Sequence, residues 1–148
     1  MRIRDKVKKP QRPVVAYEIL PPREKDGTLN SYAETISSLL SQTHIDAINI
    51  PEVHDEVGRG DRPVANQKRG EPREFGMLLQ DIVGIESIIN RVVVHEPYDR
   101  QMKWLEETYT KYEIENMIIV GGESSKVTYP GPTVNDTLKA ITDKYNQN

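Results

Sequence analysis

Val92-Val93-Val94-His95 and Met117-Ile118-Ile119-Val120 are two short runs of mainly β-branched apolar residues, and the chain between them is written at a different period. There Met102, Leu105, Tyr109 and Tyr112 recur on one helical face, with Lys103, Glu106 and Glu107 left for solvent and Asp99 placed to cap the first turn. Strand, helix and strand in that order predict a parallel pair. A parallel strand must be returned to the same end of its sheet by a crossover, and the helix supplies it.

The same alternation extends in both directions. Upstream, Phe75, Leu78, Leu79 and Ile82 stand at i, i+3, i+4 and i+7, a helix whose first turn Gly76 weakens. Before it, Ala47-Ile48-Asn49-Ile50 reads as a short strand ended by Pro51, and a loop rich in charge, Gly and Pro runs from Glu52 to Glu71, long enough for a site loop. Earlier still, Ser31 with Glu34 forms a capping-box pattern ahead of a helix facing inward through Tyr32, Ile36, Leu39 and Leu40. Val14 to Leu20 is a mostly apolar run stopped by Pro21-Pro22, as expected of a strand buried on both faces. Downstream, Thr133 with Asp136 caps a last helix that buries Val134, Leu138, Ile141 and Tyr145. The expectation is a polar leader over residues 1–13 and one α/β domain of four βα units over 14–148. Half of a (β/α)8 barrel and a small open α/β sheet both satisfy this order, and both place a site at the C-terminal ends of the strands.

Composition narrows the chemistry. The 148 residues fit one domain. Twenty Lys and Arg against 23 Asp and Glu give a net charge of −3, which offers no basis for a nucleic-acid partner. There is no cysteine, so thiolate nucleophiles and thiolate metal sites are excluded, and no two-histidine helical spacing suggests a metal site of another kind. No apolar run is long enough for a membrane span, and no signal-peptide core follows the basic start; a cytoplasmic protein is expected.

The strand ends carry Glu18, Asn49, His95 and the run Gly121-Gly122-Glu123. A carboxyl group inside an apolar strand invites a perturbed pKa and general acid work, or else a structural ion pair with Arg23 or a basic leader residue. His95 can bond a cofactor or shuttle a proton, although histidines satisfied by backbone groups are commoner. The Gly-Gly turn can bring backbone amides close to a ligand or simply turn the chain; it lacks the spacing of a P-loop. Tyr129-Pro130-Gly131-Pro132 is a rigid turn that reads as structural.

Tyr17-Glu18-Ile19-Leu20-Pro21-Pro22-Arg23 resembles the signature of the methylenetetrahydrofolate reductase family, an aromatic-Glu-hydrophobic-hydrophobic-Pro-Pro-basic run on the first barrel strand. His95 resembles that family's strand-three histidine, and Val120-Gly121-Gly122-Glu123 loosely resembles its Arg-Gly-Asp strand-four turn. Gly121 stands in place of the Arg, Glu123 in place of the Asp, and Pro51 in place of a strand-two threonine. The resemblance implies a (β/α)8 barrel holding FAD, which takes a hydride from NAD(P)H or another donor and reduces methylenetetrahydrofolate to methyltetrahydrofolate in one-carbon metabolism. It makes Glu18 the catalytic acid and a folate contact. Glu123 becomes a group beside flavin and pterin, and His95, Gly121 and Gly122 become flavin contacts. Four βα units are half of such a barrel, so completion by a second copy, a separate chain or further sequence is expected. The alternative is an accessory subunit or binding module that pairs with a flavoprotein.

Overall fold

A computed structural model describes residues 2–53, 68–122 and 125–145. A short helix α1 (Ile3–Lys8) precedes β1 (Ala16–Glu18), α2 (Leu29–Leu40), β2 (Ala47–Pro51), α3 (Pro72–Val83), β3 (Ser87–Val92), α4 (Tyr98–Thr110), β4 (Asn116–Val120) and α5 (Val134–Tyr145). Two 3-10 turns, Glu24–Asp26 and Val93–His95, complete the order. The four strands form one sheet in the order β1-β2-β3-β4, and every neighbouring pair is parallel. The α/β class and the succession of βα units are therefore as expected. Crossovers of one hand between sequential neighbours put the connecting helices on the same face. The winding never reverses, so the described strands contain no switch point of the doubly wound kind.

That winding gives the sheet two unlike faces. Ile50, Ile89 and Met117 are in register across β2, β3 and β4, and with Ile48 they meet Phe75, Leu79 and Ile114 on the helix side. Gly76 is the point of closest approach: a Cβ there would lie 3.2–3.3 Å from the side chains of Ile114, Ile50 and Ile89. The missing side chain lets α3 settle against the sheet, which offsets its poor helix propensity. The alternate positions, Glu18, Asn49, Ile88, Asn90, Val92, Ile118 and Val120, fall on the other face, where Glu18 and Ile118 are exposed. The N-terminal ends of the strands carry α1. Ile3 is buried there, its amide donates to the Glu86 carboxylate, Arg2 pairs with Glu115, and Lys6 and Arg12 both reach the buried Asp46. The leader thus has structure that its polar composition does not announce.

Several local expectations are corrected. The first strand is not buried on both faces: Ala16, Tyr17 and Glu18 are all exposed, because β1 is a sheet edge with one strand neighbour. The third strand is Ser87–Val92, and Val93–His95 already turn as a 3-10 helix. Helix α2 is capped by Thr28, whose hydroxyl accepts from the Ser31 amide, rather than by Ser31. Asp99 lies inside the first turn of α4, whose N-cap is Pro97. The last cap is as expected, since Thr133 donates to the Asp136 carboxylate and its hydroxyl accepts from the Asp136 amide. Yet Leu138 and Tyr145 on α5 and Tyr109 on α4 are exposed, so the apolar stripes of these helices are only partly covered.

Candidate site on the uncovered sheet face

Glu18 and Asn49 are register partners at the C-terminal ends of β1 and β2. Parallel pairing turns both side chains to the face opposite the helices, which no described helix covers, and the Asn49 Nδ2 donates to the Glu18 Oε2 at 3.0 Å. Glu18 is exposed rather than enclosed in an apolar strand. Its expected ion-pair partner is engaged elsewhere: Arg23 grips Asp26 through Nε and Nη2. One strand further, Asn90 points to the same face from β3. Asn49 Oδ1 and Asn90 Oδ1 are buried and meet no donor among the described residues. Both acceptors stand beside the apolar surface of Ile88, Val92, Ile118 and Val120. The result is an acceptor-rich strip next to an apolar strip.

The residues at the ends of β3 and β4 are arranged otherwise. His95 belongs to the 3-10 turn after β3, and its ring meets Tyr129 edge-on with centroids 5.6 Å apart. Gly122 lies under the same ring, so close that a Cβ would stand 2.2 Å from a Tyr129 carbon. Gly131 fastens the segment: its amide donates to the Val94 carbonyl, and a Cβ there would lie 2.3–2.7 Å from the carbonyls of Glu96, Val93 and Val94. Only glycine can pass at that distance. Gly121 faces Val134, with its missing Cβ 3.4 Å from that side chain. Tyr129 thus joins His95 and Gly122 into one packed group, and the turn following it is structural, as its sequence suggested. Glu123 lies outside the described residues.

Beneath the site, Glu52 and Arg91 form a 2.7 Å ion pair with side chains only 10% and 7% exposed. Glu52 also accepts from the Val92 amide, which ends the β2–β3 ladder and frees the chain to leave the sheet. Arg91 donates to Gln101 and lies 4.3 Å from the Trp104 ring, which Arg73 approaches at 4.5 Å. Sequence reasoning missed Asn90, Glu52 and Arg91. The alternation of Ser87, Ile89 and Arg91 against Ile88, Asn90 and Val92 is the signal that would have moved the third strand upstream and exposed Asn90.

Among the described residues no cluster of His, Asp and Glu could hold a metal ion, and no helix is long and apolar enough to cross a membrane. No protein-family model matches the chain, and no curated protein matches it.

Proposed function

We propose that this chain is one half of a methylenetetrahydrofolate reductase-type barrel, and that it contributes the acid and part of the binding face for flavin-dependent reduction of methylenetetrahydrofolate once the other half is supplied. The observation that carries the reading is the Glu18–Asn49 pair, at the C-terminal end of a singly wound parallel sheet and on its uncovered face. Sequential strand order and an acid at the mouth of the first strand agree with the family signature in Tyr17 to Arg23.

A flat heterocycle fits the uncovered face. Ile88, Val92, Ile118 and Val120 offer apolar contact, while the oxygens of Asn49 and Asn90, without a partner among the described residues, suit ring N–H donors. FAD, when bound, supplies the hydride, which it receives from NAD(P)H or another donor. On this reading Asn90 is the strand-three contact in place of His95. Glu18 gives its proton to the nitrogen of the folate's five-membered ring as the adjacent C–N bond breaks; the bond's electron pair stays on nitrogen and the cationic carbon is ready for reduction. A neutral amine leaves far more readily than an amide anion, so the reaction needs an acid at this point.

A second reading has its own support. His95 and Gly122, the flavin contacts that the resemblance implies, are packed against Tyr129. That arrangement favours an accessory chain that keeps the fold and leaves flavin binding to its partner. The visible absorbance spectrum, taken after adding FAD and desalting, separates the two. Flavin retained at stoichiometric level supports the catalytic half-barrel, and its absence under self-association favours the accessory chain.

A further inference from the structure

The Asn49 side chain is used in an unusual way. Its Nδ2 goes to the Glu18 carboxylate, and this choice leaves its Oδ1 buried and without a partner among the described residues. A buried amide oxygen without a donor is unfavourable, and such orphans call for an explanation. Turning the amide over would set Oδ1 against the acceptor Oε2 and lose the bond from Nδ2, both when Glu18 is ionised and when its proton sits on Oε1. The bond to Glu18 is therefore kept at the expense of the amide's own oxygen.

We propose that Asn49 is the positioning residue of the Glu18 acid, fixing the rotamer of the carboxyl group and assigning its proton to Oε1; this rests on the reductase reading above. An oxygen that accepts an N–H bond is the poorer place for a proton, so the bond to Oε2 leaves Oε1 as the protonated oxygen. Oε1 then delivers the proton to the substrate nitrogen, and the carboxylate left behind keeps its bond from Asn49 through the transfer. Water afterwards returns a proton to Oε1. The register of β1 on β2 sets the geometry, since Glu18 and Asn49 are partners in the ladder. A rigid strand pair holds an acid better than a loop does.

Two measurements test this on the assembled protein. In the first, the side-chain amide signals of Asn49 are followed by 1H–15N NMR from about pH 3 to about pH 8. They should move with pH in the wild type and stay fixed in Glu18→Gln; fixed signals in both would overturn the contact. The second compares Asn49→Leu, close in size but without a donor, with Asn49→Asp, close in size but with an acceptor. In each, the folate half-reaction should slow by about tenfold or more, within what general acids contribute, while flavin reduction changes less than about twofold. Circular dichroism checks that at least one variant is folded. Folate turnover undiminished in a folded variant would overturn the positioning role and leave the reductase reading intact. A titrating amide with no folate turnover in the wild type would overturn both.

Discussion

The ring of Tyr129 lies close over Gly122: an added Cβ would stand 2.2–2.3 Å from ring carbons and 2.7 Å from the hydroxyl unless the ring moved. Gly122→Ala must therefore push the ring off its seat between Gly122 and His95. Because the ring is the end of a half-exposed side chain, the cost should stay below the about 1–3 kcal/mol of overpacking in a core. The effect should be local, with faster amide exchange at Gly131, whose bond to Val94 holds the same segment. Unchanged exchange at Gly131 would mean that the ring and the Gly131 anchor are independent.

The acid assigned to Glu18 has a clear kinetic consequence. Glu18→Gln keeps the side chain's size and removes its ability to give a proton. Folate reduction should fall by a factor of about 100 or more, while reduction of flavin by a nicotinamide is spared, because only the folate half needs the proton. Stopped-flow measurement of each half-reaction decides this. Equal loss in both would remove Glu18 from the acid role.

Asp46 gives a pH-dependent prediction. The Arg12 guanidinium first, then the Val15 amide and Lys6, hold its carboxyl well below the usual carboxylate range. A group whose pKa is lower when folded adds stability above its unfolded value, about 3.9, and that contribution is lost as pH falls through the folded one. Thermal unfolding should thus show an acid-side decline that is smaller in Asp46→Asn. At neutral pH the same variant should be less stable and more readily cleaved before Val14, since the leader loses its anchor. A parallel pH dependence in the two proteins would show that other carboxylates govern the acid limb.

The buried pair of Glu52 and Arg91 should behave asymmetrically. Replacing one member takes the opposite charge away from the other in a buried setting, at a cost of about 3–5 kcal/mol, whereas replacing both with apolar residues of similar size is often nearly neutral. Urea unfolding of Glu52→Leu, Arg91→Leu and the double variant checks this. The double variant should be more stable than either single one. Additive losses would mean that Gln101 and Trp104, rather than Glu52, carry the value of Arg91.

How much of this was legible in the sequence depends on how local the signal was. The βα order was plain because helical periodicity and apolar runs are local, and Thr133 with Asp136 was readable because a cap is complete within four residues. Glu18 was found as a strand-end acid, but its surroundings were misjudged. Whether a strand is an edge depends on partners that the strand itself does not encode, and β1 came out exposed. The triple valine drew the third strand too far downstream, which promoted His95 and hid Asn90, although β3 alternates cleanly through Ser87–Val92. The anchoring of the leader by Asp46 was invisible because Lys6 and Arg12 reach it across the fold.

The exposed apolar residues yield the last prediction. Tyr17 on β1, Ile118 on β4 and Leu138 on α5 are 46–48% exposed, and all three belong to the first or last βα unit. Among the described residues, β1 and β4 each have only one strand neighbour in the sheet. Both edges run in the same direction, so β4 of one copy can continue in parallel with β1 of another, and two such junctions related by a twofold axis close eight strands in the order of a barrel. Self-association is therefore expected, and sedimentation should give the mass of a dimer at micromolar concentration. Ile118→Lys sets a charge on the enclosed face of that assembly and should return the protein to a monomer without lowering its helix content. A wild-type protein that sediments as a stable monomer would count against closure by a second copy. The uncovered face bearing Glu18 and Asn49 would then need a different partner before it could exclude water from the acid.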